Sequence, residues 1–254
     1  MELDELGISN GHLELCGIAL TSNSSLLTKN FTHNQKEPKH DRPSTYRPAP
    51  CHWLSRNRPL STVTDVTEVS EEELSRASLL KTPQQVLAVF RQPAAETDIS
   101  VISHSLCLAL DDVQDPGNLG TIVRLADWFG IEHIFCSPNT VDIYNPKTVQ
   151  ATMGGIARVR LHYTPLPEFI RSLKDIPVYG TFLDGENMYG QPLSKNGLIV
   201  MGNEGNGIGK EVEALINRKL YIPNYPASRE TSESLNVAIA TAVVCAEFRR
   251  QAAL

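Results

Sequence analysis

From residue 105 onward the apolar residues fall into short runs separated by longer amphipathic stretches. The runs LCLALD (106–111), HIFC (133–136), ARVRLHY (157–163), VYGTF (178–182), LIVMG (198–202) and KLYIP (219–223) have the length and composition of strands. Between most of them, and after the last, 118–129, 147–153, 166–174, 209–217 and 234–250 have the three- and four-residue apolar spacing of helices. Apolar strands alternating with helices predict an α/β domain over 101–254, a mainly parallel sheet with helices on both faces. In the last helix Leu235, Ile239, Ala242, Val243 and Ala246 are expected to form one buried stripe.

The first hundred residues have a different texture. Residues 1–60 show little apolar periodicity and are rich in Asn, Ser, Thr, His and Pro, so burial offsets little of their ordering entropy. They are expected to be a poorly ordered extension, with one short strand within Leu13–Leu20. Order resumes over 61–100. Ser70 with Glu73 three residues later is a capping box for a helix near 71–79, and Pro83 opens a second short element, QQVLAVF.

Composition narrows the class. An apolar fraction of 41% suits a globular protein, and no window approaches the roughly 18 unbroken apolar residues of a membrane helix. The acidic start MELDEL lacks the basic and apolar regions of a signal peptide. Five scattered cysteines without a CxxC pair predict reduced thiols in the cytoplasm and no metal site. The net charge of −6 argues against a simple electrostatic binder of nucleic acid. Its distribution is uneven, however, because residues 29–58 carry seven basic side chains against two acidic ones. A basic arm of that kind suits RNA, and a solvated tail would have the same composition.

Three loops at expected strand ends carry the candidate chemistry, since ligands of open parallel sheets bind at the carboxyl ends of strands. In DDVQDPGNLGTIVRLAD (111–127), Asp115-Pro116-Gly117 is turn chemistry, Asn118 is placed to cap the next helix, and Arg124 follows about a turn and a half later. Taken alone, this loop reads as a cap and a surface charge. In MGNEGNGIGKE (201–211), four glycines around Asn203, Glu204 and Asn206 leave backbone amides open to a closely approaching ligand. A phosphate loop is excluded, because Glu211 follows the Gly-Lys pair where Ser or Thr is needed. A dinucleotide fingerprint is excluded by the GxGxG spacing of Gly205, Gly207 and Gly209. In IPNYPASRETSESLNVAIATA (222–242), Thr231, Ser232, Ser234 and Asn236 crowd polar groups at a helix start, more than one cap requires.

Together, DPxNxGxIxRxA at 115–126, GNEG at 202–205 and IP…SLNV at 222–237 resemble the three ordered motifs of the SpoU (TrmH-like) RNA methyltransferases, over about 105–254. The resemblance implies a C-terminal trefoil knot, a homodimer, and S-adenosylmethionine bound within the knot. It implies an RNA substrate, tRNA or rRNA, methylated at a ribose 2′-hydroxyl, with no metal and no membrane partner. It makes Arg124 the main catalytic residue, reached across the dimer, with Asn118, Glu204, Ser234 and Asn236 beside it. Glu204 would hold a positively charged neighbour. Gly202, Gly205, Ile222 and Leu235 would line the cofactor, together with Thr181 and Leu183 after a strand end. Residues 67–90 resemble the end of the small substrate-binding domain that precedes many such catalytic domains, which makes 61–100 its remnant and 1–60 a degenerate start or an unrelated extension. The chain departs from the family at Ala238, where Ser is frequent, and at Glu230, where Gly is common. Two other readings stay open: a knotted RNA-binding protein that has lost catalysis, and a methyltransferase of a base or small molecule.

Overall fold

The structure, a computed structural model, describes residues 18–19, 70–78, 87–88, 99–226 and 234–253. The expectations for the basic arm at 29–58 and for Glu230, Thr231 and Ser232 lie outside these residues. The chain divides into two compact units, 1–94 and 95–254. In the first, strand β1 (Ile18–Ala19) pairs antiparallel with β2 (Leu87–Ala88). Helix α1 (Glu71–Ala77) lies between them in sequence and begins as expected. The Ser70 amide donates to the Glu73 carboxylate (2.8 Å), and the Glu73 amide donates back to the Ser70 hydroxyl (3.3 Å).

In the second unit a 3₁₀ turn (Ile99–Ser103) leads into β3 (Leu106–Leu110). The chain continues through α2 (Pro116–Trp128), β4 (His133–Cys136), α3 (Pro146–Ala151), β5 (Arg160–Tyr163), α4 (Leu166–Ser172) and β6 (Val178–Asn187). It ends with β7 (Gly197–Met201), α5 (Lys210–Glu213), β8 (Arg218–Tyr221) and α6 (Val237–Ala252). The six strands β3–β8 form one sheet in the order β5-β4-β3-β7-β6-β8, every neighbouring pair parallel. Strands β3 and β7 are buried along their whole length. Successive side chains of β3 alternate between two cores: Leu106, Leu108 and Leu110 pack with α2 and α6, while Cys107 and Ala109 pack with α4 and α5.

Two expectations about helices are corrected. The α5 region is one short turn, continued by i→i+3 bonds from Leu215 to Val212 and Ile216 to Glu213. Helix α6 starts at Val237, because the Asn236 side chain accepts from the amides of Ala238 (3.0 Å) and Ile239 (3.3 Å) and so caps it. Its buried face is Val237, Ala240, Thr241, Val244, Cys245 and Phe248. The expected stripe lies on the other side, with Leu235, Ile239 and Ala246 exposed and Ala242 and Val243 half-buried. The helix is apolar nearly all round, so periodicity alone selects no face, and one apolar face is left uncovered by the described residues.

Candidate active site

The chain runs from β3 one way to β4 and β5, and the other way to β7, β6 and β8. The order therefore reverses between β3 and β7, where a crevice at the carboxyl ends can take a ligand. The loops after β3 and β7 meet there, and the start of α6 joins them.

The first loop is organised by Asp115. With Pro116 as the first helical residue, its carboxylate accepts from the Asn118 amide (2.8 Å) and caps α2. This corrects the expectation that Asn118 is the cap: the Asp-Pro pair does that work and leaves the Asn118 side chain free to reach elsewhere. Its Nδ2 donates to Glu204 Oε1 (3.0 Å), and its Oδ1 accepts from Asn236 Nδ2 (3.0 Å). Glu204, Asn118 and Asn236 thus form one hydrogen-bonded relay that links all three sequence motifs and ends on the first amides of α6.

Among the described residues Glu204 meets no cation. Its carboxylate takes the Asn118 amide and the backbone N–H groups of Asp115 (3.3 Å) and Gln114 (3.4 Å). Partial burial pushes its pKa up, but these hydrogen bonds outweigh burial and leave the carboxyl below its ordinary value. Glu204 therefore stays ionised at neutral pH and works as a fixed acceptor rather than a proton carrier.

The glycine-rich loop is a tight hairpin. Asn203 and Gly207 exchange backbone hydrogen bonds (2.9 and 3.0 Å), and the Asn203 side chain accepts from the amides of Gly205 (2.9 Å) and Asn206 (3.0 Å). Most of its amides are thus occupied internally, contrary to the expectation of amides left open for a ligand. Gly202 is required by close approach, since a Cβ there would lie 2.2 Å from the Gly207 carbonyl carbon. A Cβ on Gly205 would meet only Asn203 Oδ1 at 3.6 Å and would otherwise project into open space.

The remaining expected residues do not join the relay. Arg124 is exposed on α2, roughly 9 Å along the axis from Asn118 and on a different face. It forms no hydrogen bond or ion pair with the described residues, and shares its exposed face with Thr121 and Trp128, the latter 84% exposed. Ser234 is exposed just before the α6 cap. Gly202 and Ile222 directly follow β7 and β8, whereas Thr181 and Leu183 lie inside β6 and not after a strand end as expected, Thr181 at the point where the β6–β8 register breaks. Leu183 is 74% exposed and Leu235 half exposed. The exposed apolar side chains of Leu183 and Leu235 suit a partly apolar ligand. Ala238 is buried and contributes its amide to the cap, so its departure from the family pattern removes no side-chain contact to that cap. Among the described residues no His, Cys, Asp or Glu cluster could hold a metal, and no helix is long and apolar enough to cross a membrane.

Two contributors escaped the sequence reading. Asp115 was legible, because Asp before Pro is a cap signature. Asp112 was not: its backbone carbonyl accepts from Asn203 Nδ2 (2.7 Å), a contact across 91 residues.

Residues 105–246 match the SpoU rRNA methylase family. The chain is 33% identical over 184 residues to the Bacillus subtilis 23S rRNA (guanosine(2553)-2′-O)-methyltransferase RlmP, covering 71% of each protein. Among solved structures it resembles a TrmH-family protein from Porphyromonas gingivalis, with 44% identity, a TM-score of 0.66 and coverage of 74% and 75%. It also resembles an AdoMet-bound rRNA methyltransferase from Sinorhizobium meliloti, with 32% identity, a TM-score of 0.63 and coverage of 71% and 70%.

Proposed function

Because the chain belongs to the SpoU rRNA methylase family, we propose that this S-adenosylmethionine-dependent RNA methyltransferase modifies a ribose 2′-hydroxyl of rRNA or tRNA. The observation that carries the reading is the Glu204–Asn118–Asn236 relay, which brings the three motifs to the crevice between β3 and β7.

The cofactor, when bound, supplies a methyl group on a sulfonium that needs no further activation. The protein must align the ribose oxygen with that carbon and ease loss of the hydroxyl proton. Leu183, Gly202, Gly205, Ile222 and Leu235, with Thr181, would hold the cofactor where β6 breaks register and where β7 and β8 end. Asn118 and Asn236, fixed by Glu204 and by the α6 amides, orient the ribose, with Ser234 beside them. Arg124 cannot act as a base at ordinary pH. Its fork of donors suits the phosphate next to the target ribose and the charge that develops there.

Arg124 stands apart from the relay of its own chain, next to Trp128 on an uncovered surface. The uncovered face of α6 supplies Ile239, exposed Leu235 lies just before the helix cap, and α6 packs against α2. A second copy docked on these faces would bury apolar surface and receive Arg124 into its own site, so the active species is a homodimer with composite sites. The family knot and a cytoplasmic location belong to the same proposal.

Complementation tests it. Arg124→Ala and Asn118→Ala should each be inactive, and mixing them after subunit exchange should restore about a quarter of wild-type methyl transfer, since half the dimers then hold one intact site. Mixtures as dead as the single variants would rule out the shared site.

A further inference from the structure

The residue that follows β3, Asp111, is 9% exposed and has no part in the reaction as described. It touches both ends of the glycine-rich hairpin. Its backbone N–H donates to the carbonyl of Met201 (2.9 Å), where the loop leaves β7. Its Oδ2 accepts from the backbone N–H of Gly209 (2.7 Å), where the loop enters α5. The fit at this second anchor is close, since a Cβ on Gly209 would lie 3.2 Å from Oδ2. The neighbouring Asp112 fastens the same loop at Asn203 and is itself held by the Ser137 hydroxyl. The loop is thus pinned at positions 201, 203 and 209 by two consecutive residues of β3's exit, while Gly205 between those pins faces open space.

A nearly buried carboxylate pays for desolvation unless hydrogen bonds offset it, and burial does push the Asp111 pKa up. An amide or an apolar residue would fill the position without that cost. The charge is therefore informative, because a charge-assisted bond to Gly209 is stronger than the neutral alternative and fixes the loop more tightly.

We infer that Asp111 is a positioning residue for cofactor binding, holding the 202–209 hairpin in the shape that receives S-adenosylmethionine. The inference rests on the reading of that loop as part of the cofactor site. It acts through Gly209, so its signature is in cofactor affinity and not in the chemistry.

The test is calorimetric titration of the full-length protein with S-adenosylmethionine, alongside methyl-transfer kinetics. Asp111→Ala should weaken binding about tenfold or more, with kcat at saturating cofactor within about threefold of wild type and RNA affinity unchanged. Asp111→Asn keeps an acceptor oxygen but loses the charge, so its affinity should fall between those of Asp111→Ala and the wild type. Gly209→Pro deletes the N–H at a native φ of −64° that suits proline and sets its ring against Asp111 Oδ2, so it should lose at least as much affinity as Asp111→Ala. It should add nothing in the Asp111→Ala background. Losses that multiply in the double variant, or wild-type affinity in Asp111→Ala, would overturn the inference. If Asp111→Ala fails to fold by circular dichroism, Gly209→Pro and Asp111→Asn carry the test. A wild-type protein that binds no cofactor would instead remove the reading of the site and this inference with it.

Discussion

Replacing Asn118 with Ala removes the middle of the relay and nothing else of size. Two hydrogen bonds vanish, one to the ionised Glu204 and one from Asn236. A bond to a charged group contributes about 1.5–3 kcal/mol and a neutral one about 1 kcal/mol where water is excluded. Here Asn118 is half-buried and Glu204 and Asn236 are exposed, so water can take over both partners. The net stability loss should be about 1 kcal/mol, which lowers Tm by about 2–4 °C in a chain of this size. The α2 cap survives because it belongs to Asp115. Activity should suffer much more, because the three loops lose the link that sets their mutual geometry, and misplacement by about 1 Å costs about a hundredfold. The variant also releases Glu204 toward its ordinary pKa. A depressed carboxylate contributes stability above its unfolded pKa and loses it as pH falls through the folded value. The wild type should therefore lose more stability on acidification than the variant. Calorimetry and initial rates of methyl transfer, measured on the same preparations across pH, test both halves. Methylation within about twofold of wild type, or outright unfolding, would refute the reasoning.

Arg124→Ala should abolish methylation while S-adenosylmethionine affinity stays within about threefold, because the guanidinium is proposed to grip RNA and not the cofactor; wild-type turnover would remove Arg124 from the mechanism. Gly205→Val should fold normally, since its Cβ points into open space, yet lose cofactor binding by calorimetry; unchanged affinity would move the cofactor elsewhere. Ile239→Lys should shift the protein to monomer in analytical ultracentrifugation and abolish methylation, and an active monomer would contradict the shared site. Hydrogen bonding from Arg250 holds the Glu247 pKa at about 2 against an ordinary 4.5. The wild-type urea midpoint should thus fall more than that of Glu247→Gln as pH drops from 4.5 toward 2, whereas parallel curves would show the pair adds nothing.

The sheet was legible because parallel strands are buried on both faces and read as unbroken apolar runs: 106–111 and 133–136 each contain an observed strand, and 198–202 covers all but the first residue of another. The face of α6 was not, because an apolar helix in a single sequence does not say which side meets its own chain and which a neighbour. The site residues Asn118, Glu204 and Asn236 were legible by motif, but their roles were not. Cap and relay are exchanged between Asp115 and Asn118 by one hydrogen bond, and Glu204 found amides where a cation was expected. Asp111 was read only as the end of a strand, since its partner Gly209 lies 98 residues away and no local spacing marks the pair.

The central claim is transfer to a ribose hydroxyl, and alkali separates this from every alternative. RNA is incubated with the protein and S-adenosylmethionine labelled in the methyl group, then hydrolysed in base, which cleaves only where a free 2′-hydroxyl can attack the adjacent phosphate. The account predicts label in alkali-resistant dinucleotides, absent with Asn118→Ala or Arg124→Ala. Label in mononucleotides would show methylation of a base, and no label in RNA, with cofactor binding intact, would contradict RNA methylation and point to a fold without its reaction or to a small-molecule substrate.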